Sequence, residues 1–268
     1  MIDIDSILIW QFFNKYNFEE KTHTYFYQGK KVKHSVTQFI HRFFEEFDKE
    51  NISKKYAIKH GLNQQDVIDE WERSGKISTL SGTIIHSYLE NAKRGKTLEL
   101  DYSKAKVENL YDEVFERVQR LLPKAEAFHR DTLNKLFPIQ LEYTVGIEDL
   151  IAGNIDLLCW NEKAQEFQIW DYKNVKDFTT TNNYGKKCLY SFSELPDCHL
   201  TKYSIQLNMY KAILQRALNV KIGKCYLVQF NYSVEDDSFD IYECLDLQKE
   251  CDIELNRLIE ENRSDDNR

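Results

Sequence analysis

Two apolar segments joined by a short turn constrain the fold of this chain more than any other feature. Residues 151–160 (IAGNIDLLCW) and 167–173 (FQIWDYK) are rich in β-branched and aromatic residues, and six residues separate them. A connection of this length joins neighbouring antiparallel strands, so the sequence predicts two paired strands in a buried sheet. Because a strand directs residues i and i+2 to the same side, Asp171 and Lys173 are predicted to point together, with Asp156 in reach of the same patch.

These two carboxylates and the lysine allow two interpretations. Carboxylates in an apolar sheet carry a desolvation cost that a divalent cation with oxygen ligands offsets. A lysine beside such a cation can orient an attacking water and offset the charge that develops on a phosphate. The same three residues are equally consistent with a salt-bridged strand end that has no chemical role.

A helical pattern upstream supplies a further candidate ligand. Residues 82–90 (GTIIHSYLE) are predicted to begin a helix that carries His86. A neutral imidazole is a suitable nitrogen ligand for a divalent metal, although a histidine on a helix is also often a packed residue with no ligand.

Two more segments carry polar residues at suggestive positions. Glu142 precedes an alternating strand pattern, in which it is either a site residue or an edge charge that aids solubility. Residues 203–214 have a helical pattern that places Gln206 and Tyr210 on one face, where they are predicted to align a phosphate and the lysine. Ordinary polar helix residues would give the same pattern.

In this order the motifs resemble those of the PD-(D/E)xK nuclease superfamily, specifically its RecB-like branch. The matching residues are Gly82 with His86, Glu142, Gly153 with Asp156, Asp171 with Lys173, and Gln206 with Tyr210, within roughly residues 80–232. Residues 22–38, which include Ser35-Val36-Thr37, are similar to the N-terminal hairpin of phage and mitochondrial exonucleases in this branch.

The resemblance implies an α/β fold in which helices flank the central mixed β-sheet of a restriction-endonuclease-like core. It divides the chain into an N-terminal hairpin and helical elaboration at 1–79 and a nuclease core at 80–268. It also implies Mg²⁺ or Mn²⁺ as cofactor, held by Asp156, Asp171 and the Tyr172 backbone carbonyl, with His86 as a ligand and Glu142 in or beside the coordination sphere. These side chains and the catalytic Lys173 form the predicted catalytic set.

A long polar segment between the strand and the helix is a candidate substrate contact. Residues 174–204 interleave aromatic and basic groups, among them Tyr184, Lys186 and Lys187. Such a composition suits stacking on single-stranded bases beside phosphate contacts. A surface loop packed by its own aromatic residues is the alternative interpretation.

The charge of the chain excludes one class of nucleic-acid protein. A net charge of −8 over 268 residues is unlike a protein that coats nucleic acid nonspecifically. Local basic runs remain, each most often a solvated surface but together compatible with a basic channel. They are Lys30, Lys31, Lys33 and His34; Lys54, Lys55 and Lys59; Lys93, Arg94 and Lys96; and Lys186 with Lys187.

Cysteine spacing and hydropathy set further limits. The six cysteines form no CxxC pair and lack the arrangement that holds an iron–sulfur cluster in some RecB-like nucleases, so no cluster is expected. No apolar window reaches the length of a membrane span, and the first residues lack the basic region of a signal peptide. We expect a cytoplasmic protein, in the host cytoplasm if a phage encodes it, with no membrane partner.

The remaining elements are predicted from periodicity and proline positions. An N-terminal helix is expected near residues 6–16, and two helices at 101–122 and 124–137, the second ended by Pro138. Closing strands are expected at 224–231 and 239–245, and a final helix at 247–261.

Together these features predict a metal-dependent deoxyribonuclease, an exonuclease on single-stranded DNA or DNA ends, in phage or bacterial replication, recombination or repair. A replication or recombination protein is a further candidate partner. A structure-specific endonuclease would use the same residues. A noncatalytic nucleic-acid-binding or assembly protein of this fold would be expected to lack Asp156, Asp171 or Lys173, and the chain has all three.

Overall fold

A computed structural model describes residues 15–19, 22, 24–218 and 220–266 of the chain. The helix predicted near residues 6–16 falls almost wholly outside these ranges, and Tyr16 begins a strand. The strands are β1 (Tyr16–Glu19), β2 (Thr24–Tyr27), β3 (Lys30–Lys31), β4 (His34–Ser35), β5 (Phe137–Ile147), β6 (Ile151–Asn161), β7 (Glu166–Lys173), β8 (Ile222–Gln229) and β9 (Asp240–Glu243). The helices are α1 (Val36–His41), α2 (Lys49–His60), α3 (Gln64–Lys93), α4 (Ser103–Val107), α5 (Tyr111–Asp131), α6 (His199–Leu218) and α7 (Gln248–Asp266), with short 3₁₀ turns at Leu133–Lys135 and Tyr190–Phe192.

Strand β6 is the centre of a six-stranded mixed sheet. Strand β5 pairs antiparallel along the length of one edge of β6. The parallel strand β4 and the antiparallel strand β7 therefore share the other edge, with β4 at Ile151 and β7 from Leu157 onward. Strand β8 lies parallel to β7, and β9 pairs antiparallel with β8. The predicted pairing of the two apolar strands is confirmed.

Helices cover both faces of this sheet, as strand alternation requires. Ile169 and Leu227 belong to a core with residues of α1, α6 and α7, whereas their neighbours Trp170 and Val228 belong to a second core with residues of α3 and α5. Successive strand residues point to opposite faces, so both faces are apolar and each is covered by helices. The predicted α/β class with a mixed central sheet flanked by helices is confirmed.

Helix α3 begins much earlier than the sequence pattern predicted. Its first turn is capped by Asn63, whose side-chain oxygen accepts from the backbone N–H groups of Gln65 and Asp66. Gly82 therefore lies inside a 30-residue helix, and the expectation that it begins a helix is wrong. The helix also runs through the predicted domain boundary at residue 79, and that division of the chain stays a prediction.

Helix α5 and strand β5 correct the predicted effect of two prolines. Pro123 lies inside α5, which runs unbroken to Asp131 although the proline has no N–H to donate to the preceding turn. Val118 and Leu121 before it and Ala125 after it are buried, so packing holds the helix together. Pro138 does not end a helix but lies in β5, at a register shift of the ladder with β6, a position that tolerates proline.

Within the described ranges, no helix combines the length and the apolar character needed to cross a membrane.

Candidate metal centre

The site begins where two neighbouring strands part. The ladder between β6 and β7 ends at Leu157 and Trp170, after which β7 continues beside β8 alone. The buried Asp156 carboxylate then takes the place of a backbone carbonyl, because its Oδ2 accepts from the Tyr172 N–H at 2.8 Å. This hydrogen bond fixes Asp156 beside the Asp171-Tyr172-Lys173 segment, as the sequence predicted.

Glu142 reaches the same place from β5, on the other edge of β6. It lies opposite Asp156 in a strand whose flanking residues are paired, but its own φ is 52°. A non-glycine residue in this region costs on the order of 1–3 kcal/mol and persists where its surroundings impose it. The side-chain amide of Asn154 donates to the Glu142 carboxylate, and Asn154 in turn accepts from Thr144 Oγ1 at 3.2 Å. Backbone and side-chain contacts thus hold Glu142 in this orientation.

His86 completes the cluster from helix α3. Its Nδ1 lies 3.4 Å from Asp156 Oδ1, and its Nε2 lies 3.1 Å from the Tyr172 carbonyl oxygen. A carbonyl oxygen only accepts, so Nε2 carries a proton and donates to it. In the part of the chain that is described, one set of His, Cys, Asp or Glu side chains has three donor atoms within 4.8 Å of one another, and it consists of His86, Glu142 and Asp156.

Asp171 and Lys173 form an ion pair beside this cluster. Asp171 is buried, and its Oδ2 contacts the Lys173 ammonium. The same ammonium lies 5.1 Å from the centre of the Tyr203 ring, within the range of a cation–π interaction. Both charges of the DxK segment therefore point to one side of β7, which confirms the predicted orientation.

Two motif glycines make room for neighbouring side chains. A Cβ atom at Gly153 would lie 2.6 Å from a ring carbon of Tyr210. A Cβ atom at Gly82 would lie 3.3 Å from Asn174 Oδ1, and Asn174 donates to the Ser78 carbonyl oxygen at 3.0 Å. This hydrogen bond attaches Asn174, the residue after Lys173, to helix α3, which carries His86.

Gln206 and Tyr210 lie together on α6, as predicted, but Tyr210 is buried against β6. Gln206 Nε2 donates to the Tyr210 hydroxyl at 2.9 Å. Burial raises the pKa of Tyr210 well above its usual value, and the nearby Tyr25, Asp171 and Asp156 raise it further. Tyr210 is buried in the core, and its ring lies against Gly153 of β6.

The cluster holds protons where its carboxylates crowd together. Burial, and then the charge of Asp156, raises the pKa of Glu142 to about 8. The same causes in the same order raise the pKa of Asp171 to about 6. Burial alone would lower the pKa of His86, but Asp156 outweighs it and raises the pKa to about 9. Burial would raise the pKa of Asp156, and the charges of His86 and Lys173 lower it instead.

This donor set fits a divalent cation. At neutral pH the protonated imidazole of His86 supplies the positive charge between Asp156 and the Tyr172 carbonyl. Carboxylate and carbonyl oxygens are the ligand types of Mg²⁺, Ca²⁺ and Mn²⁺, whereas an imidazole is a ligand type of zinc, copper, iron and nickel, so the donor set does not select one metal. A cation would replace the protons that now relieve the crowding of Glu142, Asp156 and Asp171.

The predicted substrate residues of the long loop are not among the side chains of this cluster. Tyr184 is 91% exposed. Lys186 pairs with Glu45 at 3.3 Å and Lys187 with Glu194 at 3.2 Å. The loop is held in part by its own hydrogen bonds, such as that from Cys188 N to Leu195 O at 3.0 Å. A role for these three residues in substrate binding stays a prediction.

Three supporting residues were missed by the sequence analysis. Asn154 stands two residues before Asp156 on the same strand, so strand alternation was a signal that both point one way. Tyr203 stands three residues before Gln206 on α6, so helical spacing was a signal for it. For Asn174 the only signal was its place directly after Lys173.

Comparisons with known proteins add little to this geometry. Neither a scan against protein-family models nor a search of curated proteins found a match. Among solved structures, the chain is similar to one described as "Crystal structure of SSO0001", at 11% sequence identity over 72% of this chain and 85% of that chain, with a TM-score of 0.28. A superposition of this quality carries no argument about fold or function.

Proposed function

We propose that this protein is a metal-dependent nuclease with the restriction-endonuclease-like core of the PD-(D/E)xK superfamily, in its RecB-like branch. Its preferred reaction is exonucleolytic hydrolysis of single-stranded DNA or of DNA ends. The observation that carries the proposal is the convergence of His86, Glu142, Asp156 and Asp171 beside Lys173, from one helix and three strands.

The residues that would hold the cation are Asp156, Asp171, His86 and the Tyr172 carbonyl, with Glu142 adjacent. A divalent cation bound there supplies Lewis acidity and lowers the pKa of bound water. Two of these side chains are held in place by hydrogen bonds within the protein, since the Tyr172 N–H donates to Asp156 and the Asn154 amide donates to Glu142. Such fixed orientation is what a catalytic metal site requires of its surroundings.

Lys173 acts as a cation and not as a base. Burial alone would lower its pKa, but Asp171 and Asp156 outweigh burial and raise it above the usual lysine value. The ammonium therefore keeps its proton at neutral pH. It is suited to donate to a phosphate oxygen and to stabilise the negative charge that increases there in the transition state.

A nuclease assay tests the proposal. The protein and its Lys173→Ala variant are incubated with Mg²⁺ or Mn²⁺ on end-labelled linear single strands, linear duplex and covalently closed single-stranded circles. We expect cleavage of the linear substrates, with 5′-phosphate and 3′-hydroxyl ends. The rate should fall by about 10²–10³ in Lys173→Ala, as for the loss of one preorganised donor. Lys163→Ala, in the exposed turn between β6 and β7, is the matched control and should keep full activity.

The substrate pattern separates the related outcomes. Loss of linear DNA with circles left intact supports an exonuclease, and the order of label release gives its polarity. Cleavage of circles would instead indicate an endonuclease at the same site. Absence of metal-dependent cleavage on all three substrates, or equal cleavage by Lys173→Ala, would contradict the proposal.

A further inference from the structure

A group of nearly parallel aromatic rings lies beside Lys173. It consists of Phe178, His199, Tyr203 and Tyr242, all half-buried, and is called here the ring stack. The centroid of the Phe178 ring lies 4.3 Å from that of Tyr242, 5.9 Å from that of His199 and 6.2 Å from that of Tyr203, with interplanar angles of 19°, 25° and 23°. Rings stacked with an offset attract one another beyond the area that they bury. Phe178 therefore helps to hold the orientation of the Tyr203 ring.

Hydrogen bonds hold Phe178 in this stack. The neighbouring Thr179 donates its backbone N–H to His199 Nδ1 at 3.2 Å, and its Oγ1 accepts from the His199 N–H at 3.1 Å. Earlier in the same loop, the Val175 carbonyl oxygen accepts from Gln229 Nε2 at 2.8 Å. These contacts connect the first part of the long loop to the start of α6 and to the end of β8. The position of Phe178 thus does not depend on stacking alone.

Tyr203 carries the ring of the stack that contacts Lys173. The centre of this ring lies 5.1 Å from the Lys173 ammonium, and the lysine side chain is only 20% exposed. A cation–π contact stabilises a partly desolvated cation more than an exposed one. Tyr210, seven residues after Tyr203, lies about 20° from it around the helix axis, and the Tyr210 ring lies against Gly153. The side of α6 that carries Tyr203 therefore faces the strands of the site.

The ring offers Lys173 a contact that differs in kind from its ion pair. The ammonium also contacts Asp171. In the proposed reaction Asp171 is a ligand of the cation as well, so its charge is shared between two partners. The Tyr203 ring has no ligand role. Because a ring is neutral, it attracts the ammonium without cancelling the positive charge that a phosphate would meet.

We infer that Tyr203 is a positioning residue for Lys173: the face of its ring holds the ammonium where it meets the phosphate, and the ring stack holds Tyr203. The inference rests on the proposed function, since it concerns the reaction of the same site. It assigns the role to the ring and none to the hydroxyl. Phenylalanine should therefore replace Tyr203, whereas leucine should not.

Steady-state cleavage of linear single-stranded DNA in Mn²⁺ tests this inference. Tyr203→Leu should lower kcat about tenfold and change KM little, because a positioned cation acts on the transition state more than on the bound substrate. Tyr203→Phe keeps the ring and should keep most of the rate. Tyr232→Leu is the matched control, since it removes a ring that lies 3.8 Å from the Arg117 guanidinium carbon, and it should leave kcat unchanged.

A double-mutant cycle separates positioning from general damage to the fold. In a Lys173→Ala background, Tyr203→Leu should cause no further fall in kcat, because the side chain through which Tyr203 acts is gone. An equal fall in both backgrounds would show that Tyr203 acts independently of Lys173 and would overturn the inference. A fall in Tyr203→Phe as large as that in Tyr203→Leu would assign the effect to the hydroxyl and overturn it also.

Nuclear magnetic resonance observes the position of Lys173 without cleavage. In the metal-free, full-length protein labelled with ¹³C at lysine Cε, the Tyr203 ring should shift the Lys173 methylene resonance upfield. Lys173→Arg identifies this resonance by its disappearance. The upfield shift should persist in Tyr203→Phe and vanish in Tyr203→Leu. A resonance that is the same in the wild type and in Tyr203→Leu would contradict the inference.

The two readouts distinguish failure of this inference from failure of the proposed function. Cleavage by the wild type that Tyr203→Leu does not slow would overturn this inference alone. A wild type that shows the upfield shift but cleaves none of the substrates would overturn the proposed function and support the placement of Lys173 by Tyr203. Absence of both the shift and cleavage would overturn the two together.

Discussion

At the scale of single residues, Gly153 leaves room for the Tyr210 ring against the strand that carries Asp156. Gly153 lies three residues before Asp156, and the position that its Cβ would take is filled by the Tyr210 ring and by Val36. The backbone there needs no unusual φ, so the requirement is for space alone. Any side chain would move Tyr210, the strand, or both, and the strand carries Asp156.

Gly153→Ala is therefore expected to destabilise the protein by about 1–3 kcal/mol, as overpacking in a core does. Chemical denaturation measures this change. In a Tyr210→Leu background the cost of Gly153→Ala should be smaller, because the ring that causes the clash is gone.

Gly75→Ala is the matched control for that measurement. A Cβ atom at Gly75 meets nothing within 4 Å, and the residue lies in helix α3, so alanine there should stabilise by up to about 1 kcal/mol. Equal effects of the two substitutions would contradict the assignment of the Gly153 requirement to Tyr210.

Most of the candidate site at this scale follows from the sequence. Alternation within β7 was enough to place Asp171 with Lys173, and the short turn brought Asp156 to them. The left-handed φ of Glu142 and the burial of Tyr210 were not predictable, because both depend on what packs across from them in the folded sheet. Side-chain supports such as Asn174 depend on tertiary contact for the same reason.

At the scale of elements, α5 shows that packing can override the helix-breaking effect of a proline. The helix continues past Pro123, and the next residue, Lys124, is completely buried. The Lys124 ammonium donates to the Asp236 backbone carbonyl at 2.6 Å and to its Oδ1 at 2.9 Å. The loop that carries Asp236, 112 residues further along the chain, thus supplies the acceptors for the buried ammonium group of Lys124. Periodicity predicted the strands well, but it could not place helix ends that long-range contacts decide.

Asp236 makes a pH-dependent contribution to stability. The Ser238 hydroxyl, and then Lys124, lower the pKa of Asp236 to about 2. A lowered folded-state pKa means that the contribution is present above the unfolded value, near 3.8, and is lost as the pH falls through about 2. Wild type should therefore be more stable than Asp236→Asn at pH 6, and the difference should shrink between about pH 4 and pH 2.

Acid titrations of unfolding for the two proteins measure this difference. Asp237→Asn serves as control, since Asp237 is exposed and lies 3.8 Å from an exposed arginine. A constant difference between wild type and Asp236→Asn across the whole range would contradict the assigned role of the carboxylate.

At the scale of the whole molecule, the candidate site lies where the two cores meet. Tyr172 belongs to the core beneath α3 and α5, and Tyr210 belongs to the core beneath α6. The carboxylates lie between them, at the opening left when β7 leaves β6. Three strands of the sheet and one helix packed on it carry the candidate ligands. A cation at this point would relieve the charge repulsion among the carboxylates that these elements bring together.

Calorimetric titration of Mn²⁺ into the metal-free protein tests this claim most directly. We expect saturable binding. By mass action, this binding should also raise the free energy of unfolding by about 2.7 kcal/mol at a metal concentration of 100 Kd. Asp171→Asn should abolish it, whereas Asp177→Asn, which removes an exposed carboxylate six positions further on, should leave it unchanged. Absence of binding to the wild type, or equal binding by Asp171→Asn, would contradict the assignment of a metal centre to this cluster.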